Sequence, residues 1–191
     1  MFENSIGTVW LQGIVEVTNT GSCDLYLDDG KFDLEDESGS LLDTIDYIEV
    51  CPQVISPGEK AYYYTNSIMD SIKATDTIKI APKVDAQEAT VAKILLPSSD
   101  EKLKADDYSD LEMTGRIENT TSETLSFVSL GVVLFDKDDH PIAVLDSSIT
   151  DDIKPGEKAS FKAYQYGLPE DVTVDSVARF EVFAFENQYQ F

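Results

Sequence analysis

The one histidine, His140, stands in the run Asp136-Lys137-Asp138-Asp139-His140, ahead of Pro141. Several carboxylates within one tight turn are what a hard cation such as calcium requires. The run lacks the central glycine of a calcium loop, however, and Ser147 stands where a bidentate Glu would close it. It reads as a polar hairpin tip, with no metal expected. A hydrolytic triad on His140 would need a nucleophile beside it, and neither Gly-x-Ser-x-Gly nor His-Glu-x-x-His occurs. Paired carboxylates can cleave glycosidic bonds, but among 37 acidic residues close pairs arise without design. A carboxylate-based hydrolase is therefore the least supported reading. The expectation is a non-enzyme with no catalytic residues and no cofactor.

Aromatic residues offer a different chemistry. Aligning Pro57-Gly58-Glu59-Lys60 with Pro155-Gly156-Glu157-Lys158 sets Tyr63 of Tyr62-Tyr63-Tyr64 opposite Phe161, a core position. Strand alternation turns Tyr62 and Tyr64 to the other face, and it turns Tyr164 and Tyr166 away from Phe161. Outward tyrosines either bind a sugar or peptide or brace a sheet through cross-strand pairs. The end of Phe180-Glu181-Val182-Phe183-Ala184-Phe185 is apolar on both faces, so Phe183 and Phe185 need a cover, from the rest of the chain or from a partner. Cys23 and Cys51 fall near the open end of a hairpin centred near residue 38, which leaves a disulfide and two thiols both open.

The elements that position these residues recur along the chain. Val17-Thr18-Asn19-Thr20 matches Ile117-Glu118-Asn119-Thr120, residues 32–36 match 132–136, and Pro57 to Ala61 is identical to Pro155 to Ala159. Asn-Thr marks a strand end, Asp36 to Gly39 a hairpin turn, and Pro-Gly a break between strands. Strands are expected at 9–18, 25–35, 41–50, 60–66 and 77–81, with a short helical turn in 67–74 and a last strand within 84–96. The second series is 111–118, 125–135, 142–149, 159–166 and 177–186. Strands of this length without intervening helices predict an all-β fold of two tandem immunoglobulin-like antiparallel β-sandwich domains. Their expected bounds are 1–96 and 108–191, with the charged segment 97–107 as linker.

These matched residues resemble the FxLYD-type module, a small Ig-like sandwich of bacterial and archaeal proteins that are commonly exported or membrane-anchored. Phe32, Leu34 and Asp36 keep three positions of the motif, with Glu35 in place of its Tyr. In the second copy Leu134, Phe135 and Asp136 keep the latter part, with Val132 in place of Phe. Together the copies cover about residues 9–96 and 108–188. The resemblance implies an accessory extracellular module without shared catalytic residues.

Charge limits the partners. A formal net charge of -23 spread along the chain repels phosphate backbones and anionic lipid, which argues against nucleic acid and membrane surfaces. No apolar run is long enough to span a bilayer, and Met1-Phe2-Glu3-Asn4-Ser5 lacks the order of an export signal. The expected role is a non-catalytic adhesion, protein-interaction or spacer module of an exported or surface-tethered bacterial protein. Its signal or anchor would lie outside this chain. The alternatives are a carbohydrate-binding module using Tyr62, Tyr64, Tyr164 and Tyr166, and a cytoplasmic location.

Overall fold

A computed structural model describes residues 1–3, 7–70, 72–106, 110–186 and 188. Their regular secondary structure is nearly all β-strand, arranged as two antiparallel sheets. The first series comprises β1 (Phe2–Glu3), β2 (Val9–Thr18), β3 (Leu25–Glu35), β4 (Leu41–Cys51), β5 (Val54–Ile55), β6 (Lys60–Met69) and β7 (Lys79–Glu88). The second comprises β8 (Leu95–Leu96), β9 (Ser98–Ala105), β10 (Leu111–Glu118), β11 (Val128–Phe135), β12 (Pro141–Ile149), β13 (Lys158–Gln165) and β14 (Arg179–Glu186). A 3₁₀ turn, Val174–Ser176, precedes β14. Among the described residues no helix is long and apolar enough to cross a membrane.

The chain divides into two compact units, Met1–Val50 with Ile55–Ala89, and Cys51–Val54 with Thr90–Phe191. In the first, the strand order is β1-β2-β6-β4-β3-β5, with β7 also pairing β3. In the second it is β8-β14-β11-β12-β13-β10-β9. There β12 and β13 meet only at Asp146 and Tyr164, so the sheet turns back on itself at that corner. The enclosed core takes Met113 and Ile117 from β10, Phe161 and Ala163 from β13, and Val132, Leu134, Leu145 and Ala184 from the strands opposite. The first unit encloses Leu11, Phe32, Leu34, Ile45, Ala61 and Tyr63 in the same manner. Alternation explains the selection, since every second residue of each strand faces inward. Burial of such side chains is the main favourable contribution to folding.

Turn chemistry holds the strands in register. Ser56 to Glu59 and Lys154 to Glu157 are turns closed by Glu59 N–H to Ser56 C=O (3.0 Å) and Glu157 N–H to Lys154 C=O (2.9 Å). Gly58 and Gly156 sit at φ 83° and 76°, a conformation that glycine tolerates after the proline of such a turn. The β3–β4 hairpin is built on Asp36, whose Oδ1 accepts from Ser38 N–H (2.8 Å) and Ser40 N–H (2.9 Å). Asp136 repeats this with Asp138 N–H and His140 N–H, both at 2.9 Å.

These bonds make both hairpins acid-sensitive. Hydrogen bonds from the Ser38 side chain and the Ser40 amide hold the Asp36 carboxyl below its usual range, and the His140 amide does the same for Asp136. A carboxyl whose pKa is depressed on folding contributes stability that is complete above its unfolded value, near about 4, and is lost as pH falls through the lower folded value. The double variant Asp36→Asn, Asp136→Asn is therefore expected to lose less stability than the parent below about pH 4. Urea unfolding across an acid series checks this, and parallel acid limbs would contradict it.

Three expectations are corrected. Segment 97–107 is not a linker through its length, because Ser98–Ala105 forms β9 and pairs antiparallel with β10, from Leu111 opposite Ala105 to Ile117 opposite Ser98. The strand is polar because one face meets solvent, while Leu103 on the other packs against the core. The last strand of the first series is β7, and Leu95–Leu96 pairs instead with Phe185 and Ala184 of β14. No helix forms at 67–74 among the described residues; Ser67 to Met69 continue β6 opposite Leu11, Trp10 and Val9.

Candidate binding surface

The tyrosines separate into two environments. Tyr62 and Tyr64 are 1% and 6% exposed, so neither is an outward platform. Alternation does send them to the face opposite Tyr63, which joins the core, but β6 is buried on both faces from Ala61 to Thr65. The Tyr64 hydroxyl donates to Glu49 Oε2 (2.9 Å), and that of Tyr63 to the backbone oxygen of Asp28 (2.9 Å). Tyr164 and Tyr166, by contrast, are 37% and 48% exposed. Their rings meet edge to face with centroids 5.2 Å apart and an interplanar angle of 72°.

Strand β13 carries Lys162 next to this pair, its Nζ 5.8 Å from the Tyr164 centroid, within the range of a cation–π contact. The adjacent strand β10 supplies Glu112, directly opposite Tyr164 on one side and Lys104 of β9 on the other. The Glu112 side chain is almost fully buried, ion-paired to Lys104 Nζ at 3.0 Å and to Lys162 Nζ. Lys162 also lies 3.5 Å from Asp106 Oδ2. Hydrogen bonding to Glu112 raises the Lys162 pKa, so this ammonium is charged throughout the neutral range. The result is a polar, cation-bearing strip ending in two exposed aromatic rings. Such a surface can stack a sugar ring or hold a peptide carboxylate.

Comparison with known proteins returned no matching family model, curated protein or solved structure.

The remaining singled-out residues occupy other places. His140 is exposed at the β11–β12 hairpin tip, its Nδ1 3.5 Å from Asp136 Oδ2. Among the described residues no group of three or more His, Cys, Asp or Glu side chains is gathered as a metal-ligand set. Cys23 and Cys51 are not joined by a disulfide. A bulge between Gly30 and Phe32 brings Gly30 opposite Ile48 in the β3–β4 pair. Phe185 is buried within the second unit, beside Leu95 of β8, and Phe183 is half-buried opposite Gly131.

Sequence reasoning missed three arrangements. Glu112 is one, although a lone acid between Leu111 and Met113 in an apolar strand start was a visible signal. Arg179 is another: its guanidinium lies 3.5 Å over the Phe135 ring and bonds Asp139 Oδ1 and Glu181 Oε1. The third is the pair of buried amides at Asn19 and Asn119. Asn19 Nδ2 donates to the backbone oxygens of Cys23 (2.8 Å) and Ile55 (3.0 Å), and Asn119 Nδ2 to those of Glu123 (2.8 Å) and Ile153 (2.7 Å).

Proposed function

We propose that this chain is a non-catalytic interaction or spacer protein made of two Ig-like modules in tandem, of the FxLYD type, serving an exported or surface-tethered bacterial protein. The reading draws support from what the two halves share. Their common residues are Asn19 and Asn119, Asp36 and Asp136, and the two Pro-Gly-Glu turns, all engaged in holding backbone. What differs between the halves is the outer face: Asn66 stands at the place that Tyr164 takes in the second half. Shared framework with divergent surface suits a binding scaffold, in which loops and faces change while the frame is retained.

The observation that carries the reading is the exposed Tyr164–Tyr166 pair beside Lys162, which we assign as the contact surface for a protein segment. A carbohydrate ligand is the second reading, favoured by the same ring geometry and now confined to these two tyrosines. A glycan array probed with the intact chain separates them. No saturable binding is expected; binding that disappears in both Tyr164→Ala and Tyr166→Ala would replace the protein-contact reading with the sugar one. Each exposed ring is worth roughly 1 kcal/mol or more to a stacked ligand, so a true sugar site would lose about tenfold or more in affinity per substitution.

A further inference from the structure

Leu103, Met113, Ile117, Phe161 and Ala163 face the core of the second unit. Alternation therefore turns Lys102 and Lys104 of β9, Arg116 of β10, and Lys158 and Lys162 of β13 to the opposite side. These five basic side chains, of the chain's 14, share one sheet face of a protein with 37 acidic residues. The first half does not repeat the pattern, because the Pro-Gly-Glu-Lys alignment gives it Tyr62 and Tyr64, both buried, where the second half has Ser160 and Lys162. The acids that meet these cations are already engaged. Glu112 is shared by Lys104 and Lys162, Asp106 is held by Lys162, Glu118 lies 3.4 Å from Lys158, and Asp100 stands 4.0 Å from Arg116. Lys102 is exposed and has no ion-pair partner among the described residues.

From this arrangement we propose that the outer face of β9, β10 and β13 receives an acidic, extended segment of a partner protein. Its carboxylates meet Lys102, Lys162 and Arg116, and an apolar side chain settles on Tyr164 and Tyr166. The proposal rests on the reading of that tyrosine pair as a protein contact, and it adds the chemistry of the partner.

Spacing favours a polypeptide. Outward residues of β13 recur at every second position, about 7 Å apart, and alternate side chains of an extended segment have the same step. A segment laid along β13 can therefore set an apolar side chain on Tyr164 and an acid at Lys162. Thr114 is opposite Lys102 on one side and Lys162 on the other, so it adds a hydroxyl to the row where that acid would sit. Charge sets the sign of the partner, since the unpaired Lys102 and the doubly used Glu112 leave this face short of carboxylate. The net charge of -23 does not prevent the contact. At about 0.15 M salt the screening length is about 8 Å, so acids elsewhere on the chain act weakly on a segment held here.

The test titrates the intact chain, at about 0.15 M salt, with three short peptides of equal length that alternate leucine with glutamate, with lysine or with serine. Polygalacturonate, an acidic polysaccharide, is titrated in parallel. Fluorescence anisotropy and calorimetry give the affinities, and backbone amide NMR shifts give the location. The glutamate peptide is expected to bind saturably, at least about tenfold more tightly than the other two, with its shifts on β9, β10 and β13. Lys102→Glu should weaken it about fivefold, whereas Lys137→Glu, an equal change of net charge at the β11–β12 tip, should leave it unchanged. The inference is overturned if the two charge reversals act alike, if the shifts fall on other strands, or if polygalacturonate binds more tightly than the glutamate peptide. Equal binding of all three peptides that is lost in Tyr164→Ala would overturn the acidic preference and leave the protein contact standing. No binding by any peptide would remove both.

Discussion

Asn119→Ala is expected to destabilise the protein by about 3 kcal/mol, the largest loss we anticipate from any single truncation of a polar side chain. Asn119 is 0% exposed, and its side chain closes a loop that the backbone cannot close alone. Nδ2 reaches the oxygens of Glu123 and Ile153, while Oδ1 accepts from Thr121 N–H (3.0 Å) and Thr121 Oγ1 (2.7 Å). Its own amide donates to the Glu157 oxygen (3.0 Å), and its carbonyl accepts from Gly156 N–H (2.8 Å). One residue thus clips the end of β10 to the Pro155-Gly156 turn and to the Leu125–Ile153 bridge. Alanine keeps the main-chain bonds and loses the four made by the side chain. The Ile153 oxygen keeps the Leu125 N–H (3.1 Å) and the Glu123 oxygen keeps Thr121 Oγ1 (3.1 Å), so the cost is that of the lost bonds, about 0.5 to 1.5 kcal/mol each.

Asn119→Asp separates this account from a simple loss of volume. The carboxylate keeps the acceptor for Thr121 but turns both donors into charge facing two carbonyl oxygens. At neutral pH its cost should equal or exceed that of alanine. Burial and those oxygens raise the folded pKa of the new carboxyl above its unfolded value, so the penalty is present at high pH and recedes as pH falls through that raised value. Asn19→Ala should cost somewhat less, because position 21 is Gly and offers only its N–H (2.9 Å) where Thr121 offers a hydroxyl as well. Urea unfolding decides the matter; a loss below about 1 kcal/mol for Asn119→Ala would show that the amide is not a clip.

These same residues mark how far the sequence could be read. Asn-Thr and Pro-Gly-Glu-Lys were visible as matched pieces in each half, and the strands between them follow from alternation and turn residues. That the two pieces bond to each other was not visible, since 36 residues separate Asn19 from Ile55 and no local pattern encodes such a contact. Alternation placed Tyr63 inside and Tyr62 and Tyr64 on the opposite face, yet it says only which face a side chain takes. Whether that face meets water depends on what the fold lays over it, and on β6 it is covered. Strand β9 was hidden for the converse reason. Its lysines and acids carry the pattern of a solvated segment, and only the edge of β10 beside it makes Ser98–Ala105 extended. The bulge between Gly30 and Phe32 was equally invisible, because it shifts register without leaving a mark in residue type.

Gly115→Ala should cost about 1 to 3 kcal/mol although it adds a single methyl group. Gly115 is opposite Phe161 in the β10–β13 pair and lies where the β9–β10 register shifts between Thr114 and Arg116. A Cβ at this position would come to 2.6 Å and 2.7 Å from Cε1 and Cζ of the Phe161 ring and 3.2 Å from the Ser99 carbonyl oxygen. The ring therefore fills the space a side chain would need, an arrangement that returns to the strand the packing which glycine lacks. Relief has to come from the ring, because the Ser99 oxygen belongs to backbone that pairs with Arg116. Phe161→Leu removes the two clashing carbons, and by itself leaves a cavity. The double variant Gly115→Ala, Phe161→Leu should then be more stable than the sum of the single losses predicts, with a coupling of about 1 kcal/mol. Strict additivity in that cycle would mean that ring and glycine do not share the space, and Gly115 would then owe its place to the bulge alone.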